Sequence, residues 1–154
     1  MATVAESVRV EASLAEVWDY YFSQRGWMLW VDGFHAVERA EGYPEAGGSH
    51  RWRSIPAGRG TVTEHVLEHE PRRLHRVAFG DPSTTGELTT RFEIAGEATQ
   101  VTQELDYKLR EGGAFAWFTD RFFVRSQMRR SLARSLERFK HEVEEISGVT
   151  QISP

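Results

Sequence analysis

Cysteine is absent from the 154 residues. Disulfides, zinc–thiolate sites and cysteine nucleophiles are excluded with it. Long apolar runs are absent too. None approaches the ~20 residues needed to span a bilayer, so stable membrane insertion is not expected. The N-terminus, MATVAESVRV, has no basic region followed by a long apolar core and so lacks the pattern of a secretory signal. Excess positive charge is missing as well. The formal net charge is −4 with both signs intermixed, which argues against a general nucleic-acid binder. These absences lead to the expectation of a soluble cytoplasmic protein. There is no internal repeat and no linker-like stretch. The length suits one domain with a real core, expected over residues 1–147, with 148–154 as a flexible C-terminal tail.

Aromatic side chains are plentiful: five Trp, four Tyr and nine Phe. They carry large burial energy and also line small-molecule pockets, and composition does not separate those uses.

Residues 3–11 alternate apolar and polar and read as a strand. Ser13 and Glu16 then form a capping box, with the hydroxyl accepting from a free backbone N–H and the carboxylate reaching back. Leu14, Val17, Trp18 and Tyr21 follow on one helical face. Gly26 is expected to break this helix, with Trp27 and Trp30 in a short loop, turn or second helix beyond it. Six strand-like segments come next: 35–41, 49–55, 61–69, 74–79, 87–94 and 100–109, separated by turn chemistry such as GYPEAGG, PAGRG and GDPSTTG. Short turns predict antiparallel pairing. Residues 115–146 read as one long helix with a stripe of Val124, Met128, Leu132, Leu136, Phe139 and Val143, which must bury itself on the sheet.

The chain resembles the START-like superfamily often called SRPBCC, which includes polyketide cyclases, lipid-transfer START domains and birch-pollen-allergen-like proteins. The residues that carry the resemblance are VRVEASLAEVWDYY near the start, LEHEPRRLHRV, the pair of strands in ELTTRFEIAGEATQVTQELDYKL, and the closing SLARSLERFKHEVE. The resemblance covers nearly the whole chain. It implies an α+β helix-grip fold: a curved seven-stranded antiparallel sheet wrapped around the long C-terminal helix, with one or two short helices after the first strand. It also implies a cavity between sheet and helix, with Trp27 and Trp30 near its rim.

Several patterns bear on chemistry. The run from His65 to His69 is H-x-x-E-H, which makes a zinc-protease site only on a helix. Its strand-forming neighbours Thr61, Val62 and Thr63 put the two histidines roughly 13 Å apart instead. The six histidines show no recognisable ligand spacing, so no metal and no cofactor is expected. The basic run RFFVRSQMRRSLARSLERFK reads as a solvated helix face, with Arg130, Arg134 and Arg138 pointing away from the stripe, and nucleic acid is not an expected partner. Arg121 and Arg125 fall within about 40° of Phe139 on the helical wheel. A guanidinium there needs an internal acid, solvent reached by snorkelling, or an anionic ligand head.

Strand alternation proposes an inward set. Leu88, Thr90, Phe92 and Ile94 share one face, as do Val101, Gln103, Leu105 and Tyr107, and as do His50, Trp52 and Ser54. His50, Thr90, Gln103 and Tyr107 are polar members of otherwise apolar or aromatic rows, which is the composition of a pocket with a few orienting groups. Trp30, His50, Trp52, Thr90, Phe92, Gln103, Tyr107, Arg121 and Arg125 are the candidate ligand-binding residues. No catalytic residue is assigned. The expected partner is a hydrophobic or amphipathic small molecule, of the lipid- or polyketide-like class that the resemblance implies. Two alternatives stand beside it: a cyclase or aromatase with His50 or Tyr107 as general acid or base, and a protein-interaction domain of the chaperone-ATPase-activator kind with a filled interior. The sequence is silent on the oligomeric state.

Overall fold

The computed structural model describes residues 2–110 and 121–152. Strand β1 (Ala2–Val10) leads into α1 (Leu14–Tyr21) and α2 (Gln24–Trp30). Then come β2 (Phe34–Glu41), β3 (Ser49–Ser54), β4 (Thr61–Glu70), β5 (Leu74–Gly80), β6 (Thr84–Ala95) and β7 (Ala98–Leu109), and finally α3 (Arg121–Ile152). The strands form one seven-stranded sheet in the order β1-β7-β6-β5-β4-β3-β2, antiparallel throughout. β1 and β2 are therefore its two edges. The helix pair carries the chain from one edge to the other, and a meander brings it back.

Local chemistry explains the start. Ser13 caps α1, its hydroxyl accepting from the Glu16 N–H at 3.2 Å. Val17, Trp18 and Tyr21 form the buried face. Gly26 does not break this helix. α1 already stops at Phe22, whose N–H bonds the Tyr20 carbonyl, and Gly26 lies inside α2. A glycine stands there because a Cβ would come within 2.9 Å of the Tyr20 ring. Trp27 and Trp30 consequently sit on a helix, both buried.

The stripe on α3 is buried as its spacing predicts. Val124, Leu132, Leu136, Phe139 and Val143 join the core, and Met128 packs partly against it. Arg134 and Arg138 on the opposite face are not simply solvated, because both bind Asp32. α3 continues as helix through Ile152.

Two strand expectations need correction. β6 begins at Thr84 and not at residue 87, so part of GDPSTTG pairs in the sheet. Gly86 makes this possible. It faces Tyr107 across the pair, where a Cβ would lie 1.9 Å from the Asp106 carbonyl oxygen. Ile94 keeps the parity of Phe92 but is 72% exposed, because the inward face there has run past what covers it. His65 and His69 both lie on β4, so H-x-x-E-H has strand geometry. A bulge between Val66 and Glu68 shifts the register of β4 against β5, and His69 turns to the rings of Trp18, Phe22 and His75.

Candidate functional site

Sheet, helices and loops line a partly open cavity of about 120 Å³. The sheet supplies His50 and Trp52 from β3, Glu64 from β4, Leu88 from β6 and Gln103 from β7. Tyr21, Trp27 and Trp30 close it from α1 and α2, and Leu132 and Ser135 from α3. Val31, Asp32, Phe34, Tyr43, Arg59 and Ser131 complete the wall.

His50 and Glu64 are direct cross-strand partners, so both side chains project from the same face. His50 Nδ1 and Glu64 Oε2 are 2.9 Å apart. An ionised carboxylate only accepts, so Nδ1 donates, and in the neutral ring Nε2 is left as an acceptor. The imidazole is clasped between Trp27, at 4.7 Å between ring centres, and Tyr43, at 4.9 Å. His50 Nε2 and Trp30 Nε1 are buried and have no hydrogen-bond partner. Each such nitrogen costs about 1–3 kcal/mol unless something fills the need.

Tyr21 is the polar hub of the interior. Its hydroxyl lies 2.9 Å from Thr90 Oγ1 and accepts from Gln103 Nε2 at 3.1 Å. Burial pushes its pKa up to about 12, with the Thr90 and Gln103 hydrogen bonds opposing, so it stays a neutral phenol. Tyr43 is pushed up as well, first by burial and then by the nearby Glu64 charge. Thr90 and Phe92 thus act behind Tyr21, Phe92 meeting its ring edge-on at 5.3 Å.

Besides Glu64, two charged groups border the cavity, Arg59 and Asp32, and each is already engaged. Arg59 donates from Nε to the buried Asp81 at 2.8 Å and lies over the Trp52 and Phe79 rings. Asp32 receives Arg134 through Nε at 3.1 Å and Nη2 at 2.8 Å, and Ser131 Oγ at 2.8 Å. Partial burial works against the Asp32 carboxylate, yet the Arg134 and Ser131 hydrogen bonds hold its pKa below the usual range.

Of the residues singled out from sequence, Trp30, His50, Trp52 and Gln103 line the cavity. Thr90, Phe92 and Tyr107 are buried but do not line it. Arg125 is exposed and borders a surface groove with Glu6 and Arg129. The Arg121 side chain lies outside the described residues. Sequence reasoning did not assign Tyr21, Glu64, Tyr43 or Arg59 to the site. Glu64 shares strand parity with Val62 and Val66, both buried, which was a usable signal. Tyr43 and Arg59 sit in loops and gave none. Among the described residues, His141, Glu142 and Glu145 have ligand atoms mutually within 4.8 Å, at the surface of α3 and apart from the cavity. No helix among the described residues is long and apolar enough to cross a membrane.

The family described as polyketide cyclase/dehydrase and lipid transport matches residues 1–144. No curated protein matches the chain. Among solved structures, TTHA0849 from Thermus thermophilus is similar at 20% identity and TM-score 0.71, over 95% of this chain and 99% of that one. The Aha1 dimer from Colwellia psychrerythraea is similar at 14% identity and TM-score 0.68, over 94% and 97%. DynU16, from the dynemicin biosynthetic locus, has 17% identity and TM-score 0.67, over 92% of this chain and 47% of that one. At these identities the likeness to solved structures establishes the fold.

Proposed function

This chain belongs to the polyketide cyclase/dehydrase and lipid-transport family, and from that premise we propose that it binds a hydrophobic or amphipathic small molecule inside the cavity between sheet and α3. The observation that carries the reading is the void itself. Aromatic rings surround it, and two residues on its wall, Trp30 and His50, have buried nitrogens with no partner. A mostly apolar enclosure with a few orienting polar groups is what small-molecule sites have in common. A domain acting only through its surface has no use for such a void, which weighs against the interaction-domain reading.

The test is a titration followed through the indole N–H resonances of Trp30 and Trp52. The probes run from toluene to medium-chain amphipaths. Saturable binding at one site, moving both resonances, is expected. Leu88→Phe, which adds volume at the cavity wall, weakens it. A panel in which nothing binds saturably would overturn the proposal.

A cyclase-type enzyme is the second reading, and one observation favours it. An imidazole backed by a carboxylate, with its other nitrogen uncommitted, is suited to moving protons. Turnover of a ligand found in the first experiment, lost in His50→Gln while binding persists, separates enzyme from carrier.

A further inference from the structure

The outer face of the sheet, behind the cavity, carries a second arrangement of polar groups. Pairing sets Arg51 on β3 opposite Thr63 on β4, Thr63 opposite Gly80 on β5, and Gly80 opposite Thr85 on β6. Direct cross-strand partners project from one face. Alternation puts this row on the side away from His50, Glu64 and Phe79, which are partners in the adjacent row. The missing side chain of Gly80 lets Arg110 lie down on the sheet. Its Nη2 is 2.9 Å from where a Cβ on residue 80 would stand, and Thr85 Cγ2 is 4.0 Å from the same point. Arg51 is rooted two strand spacings from Gly80, about 10 Å. Arg51 and Arg110 line one surface groove together with Thr63 and His65.

In a chain of net charge −4, two cations beside each other should find acids. Among the described residues neither Arg51 nor Arg110 forms an ion pair. The acid on the groove wall, Asp81, is committed elsewhere. It accepts from Arg59 Nε and from the Ser83 and Thr84 N–H groups, each at 2.8 Å. The groove is thus left with positive charge that the fold does not neutralise. The guanidinium fork matches oxyanions. A phosphate monoester brings three acceptor oxygens and nearly two negative charges, which serves two arginines and the Thr63 hydroxyl. A carboxylate brings two oxygens and one charge. A membrane surface fits less well, because such binding draws on apolar burial as well as charge, and none of the large exposed apolar side chains lines this groove.

We propose that the groove over Gly80 is a site for the phosphate monoester group of a small soluble molecule, held by Arg51 and Arg110 with the Thr63 hydroxyl between them. It lies on the opposite face of the sheet from the cavity and stands whether or not the cavity takes a ligand. Inorganic phosphate is the probe, compared with acetate and chloride at constant ionic strength. The backbone amide resonances of Thr63, Gly80 and Thr85 report binding. Phosphate should move all three saturably, acetate should bind more weakly, and chloride should move none. Arg51→Gln and Arg110→Gln should each weaken phosphate about fivefold, the effect of losing one partly exposed charge pair. Arg130→Gln, at an exposed position on α3, should leave phosphate binding unchanged. Gly80→Ala meets only the flexible end of Arg110, so the fold should persist while phosphate affinity falls.

Drift without saturation, the same in wild type and in Arg51→Gln, would overturn the proposal. Acetate bound as tightly as phosphate would overturn the phosphate assignment. Vesicles of anionic phospholipid that perturb these amides when soluble phosphate does not would overturn it as well, in favour of a membrane contact.

Discussion

The Nδ1 atoms of His69 and His75 stand 3.0 Å apart across the β4–β5 pair. His75 is buried, and on its other side the Tyr43 hydroxyl lies 3.4 Å from Nε2. Burial lowers the pKa of His75 to about 3, and the neighbouring His69 and His50 lower it further. His69 is lowered too, mainly by burial, with Glu45 opposing. Between about pH 6.5 and pH 3 the unfolded chain takes a proton on residue 75 and the folded chain refuses it. Stability from this group is thus complete above pH 6.5 and is lost as pH falls. From pH 7 to pH 5 the loss from His75 alone is about 2 kcal/mol. Urea midpoints of the wild type and His75→Phe at both pH values check this. The variant should lose distinctly less on acidification, and equal losses would show that His75 titrates freely in the fold.

Asp32 fastens α3 to the turn after α2. Its carboxylate takes a two-pronged contact from Arg134, a third from Arg138 at 3.3 Å, and a hydrogen bond from Ser131. Its backbone N–H donates to Ser135 at 2.8 Å. Arg134 is about half exposed, so solvent screens the pair, but the forked geometry favours it. A double-mutant cycle with Asp32→Asn and Arg134→Met should return a coupling of about 1 kcal/mol. The same variants should weaken probe binding, since Asp32, Ser131 and Ser135 all border the cavity. Coupling indistinguishable from zero would reduce the contact to ornament on a helix held by its apolar stripe.

Two glycines should respond oppositely to alanine. Gly86→Ala drives a Cβ into the Asp106 carbonyl, 1.9 Å away, on a paired strand that cannot step aside. It should cost about 3 kcal/mol or more. Gly148 lies on α3 with nothing within 4 Å of its would-be Cβ. Gly148→Ala should be neutral or stabilise by up to about 1 kcal/mol through helix propensity. Thermal melts of the two variants measure both. A stable Gly86→Ala protein would mean that β6 and β7 separate there at little cost.

Elements governed by local chemistry could be read from the sequence. Ser13, the stripe on α3 and the alternation of β7 all behave as their spacing predicts. Features fixed by tertiary contact could not. Gly26 looks like a helix breaker until the Tyr20 ring beside it is seen. The Val66–Glu68 bulge shifts the β4 register and brings His69 to His75, and no side-chain pattern announces it. His50 was readable as inward, but its pairing with Glu64 depends on the register of β3 against β4, which the loop at 55–60 sets. Arg125 shows the limit of a helical wheel. Its angle lies within the stripe, yet the side chain is exposed beside Glu6 and Arg129 while its neighbour Val124 is buried.

The hub at Tyr21 separates two effects that a single substitution confounds. Tyr21→Phe removes one oxygen and leaves two buried groups short of a partner: Thr90, 1% exposed, and Gln103, 3% exposed. The cost of such a change is dominated by the groups left behind, at about 1–3 kcal/mol each, and not by the modest net value of the bonds removed. Tyr21→Phe should therefore destabilise by about 2–4 kcal/mol. Adding Thr90→Val and Gln103→Leu removes the stranded groups and substitutes apolar ones of similar volume. Stability should then recover much of the loss, because replacing all partners together is nearly neutral where packing is kept. The triple variant should still lose ligand orientation, because Gln103 and Tyr21 both line the cavity. Denaturant midpoints of the single and triple variants, with phenol and toluene affinities measured on each, give the two effects independently. A triple variant no more stable than Tyr21→Phe would show that the network holds the walls in register, with hydrogen-bond satisfaction the smaller part of its role.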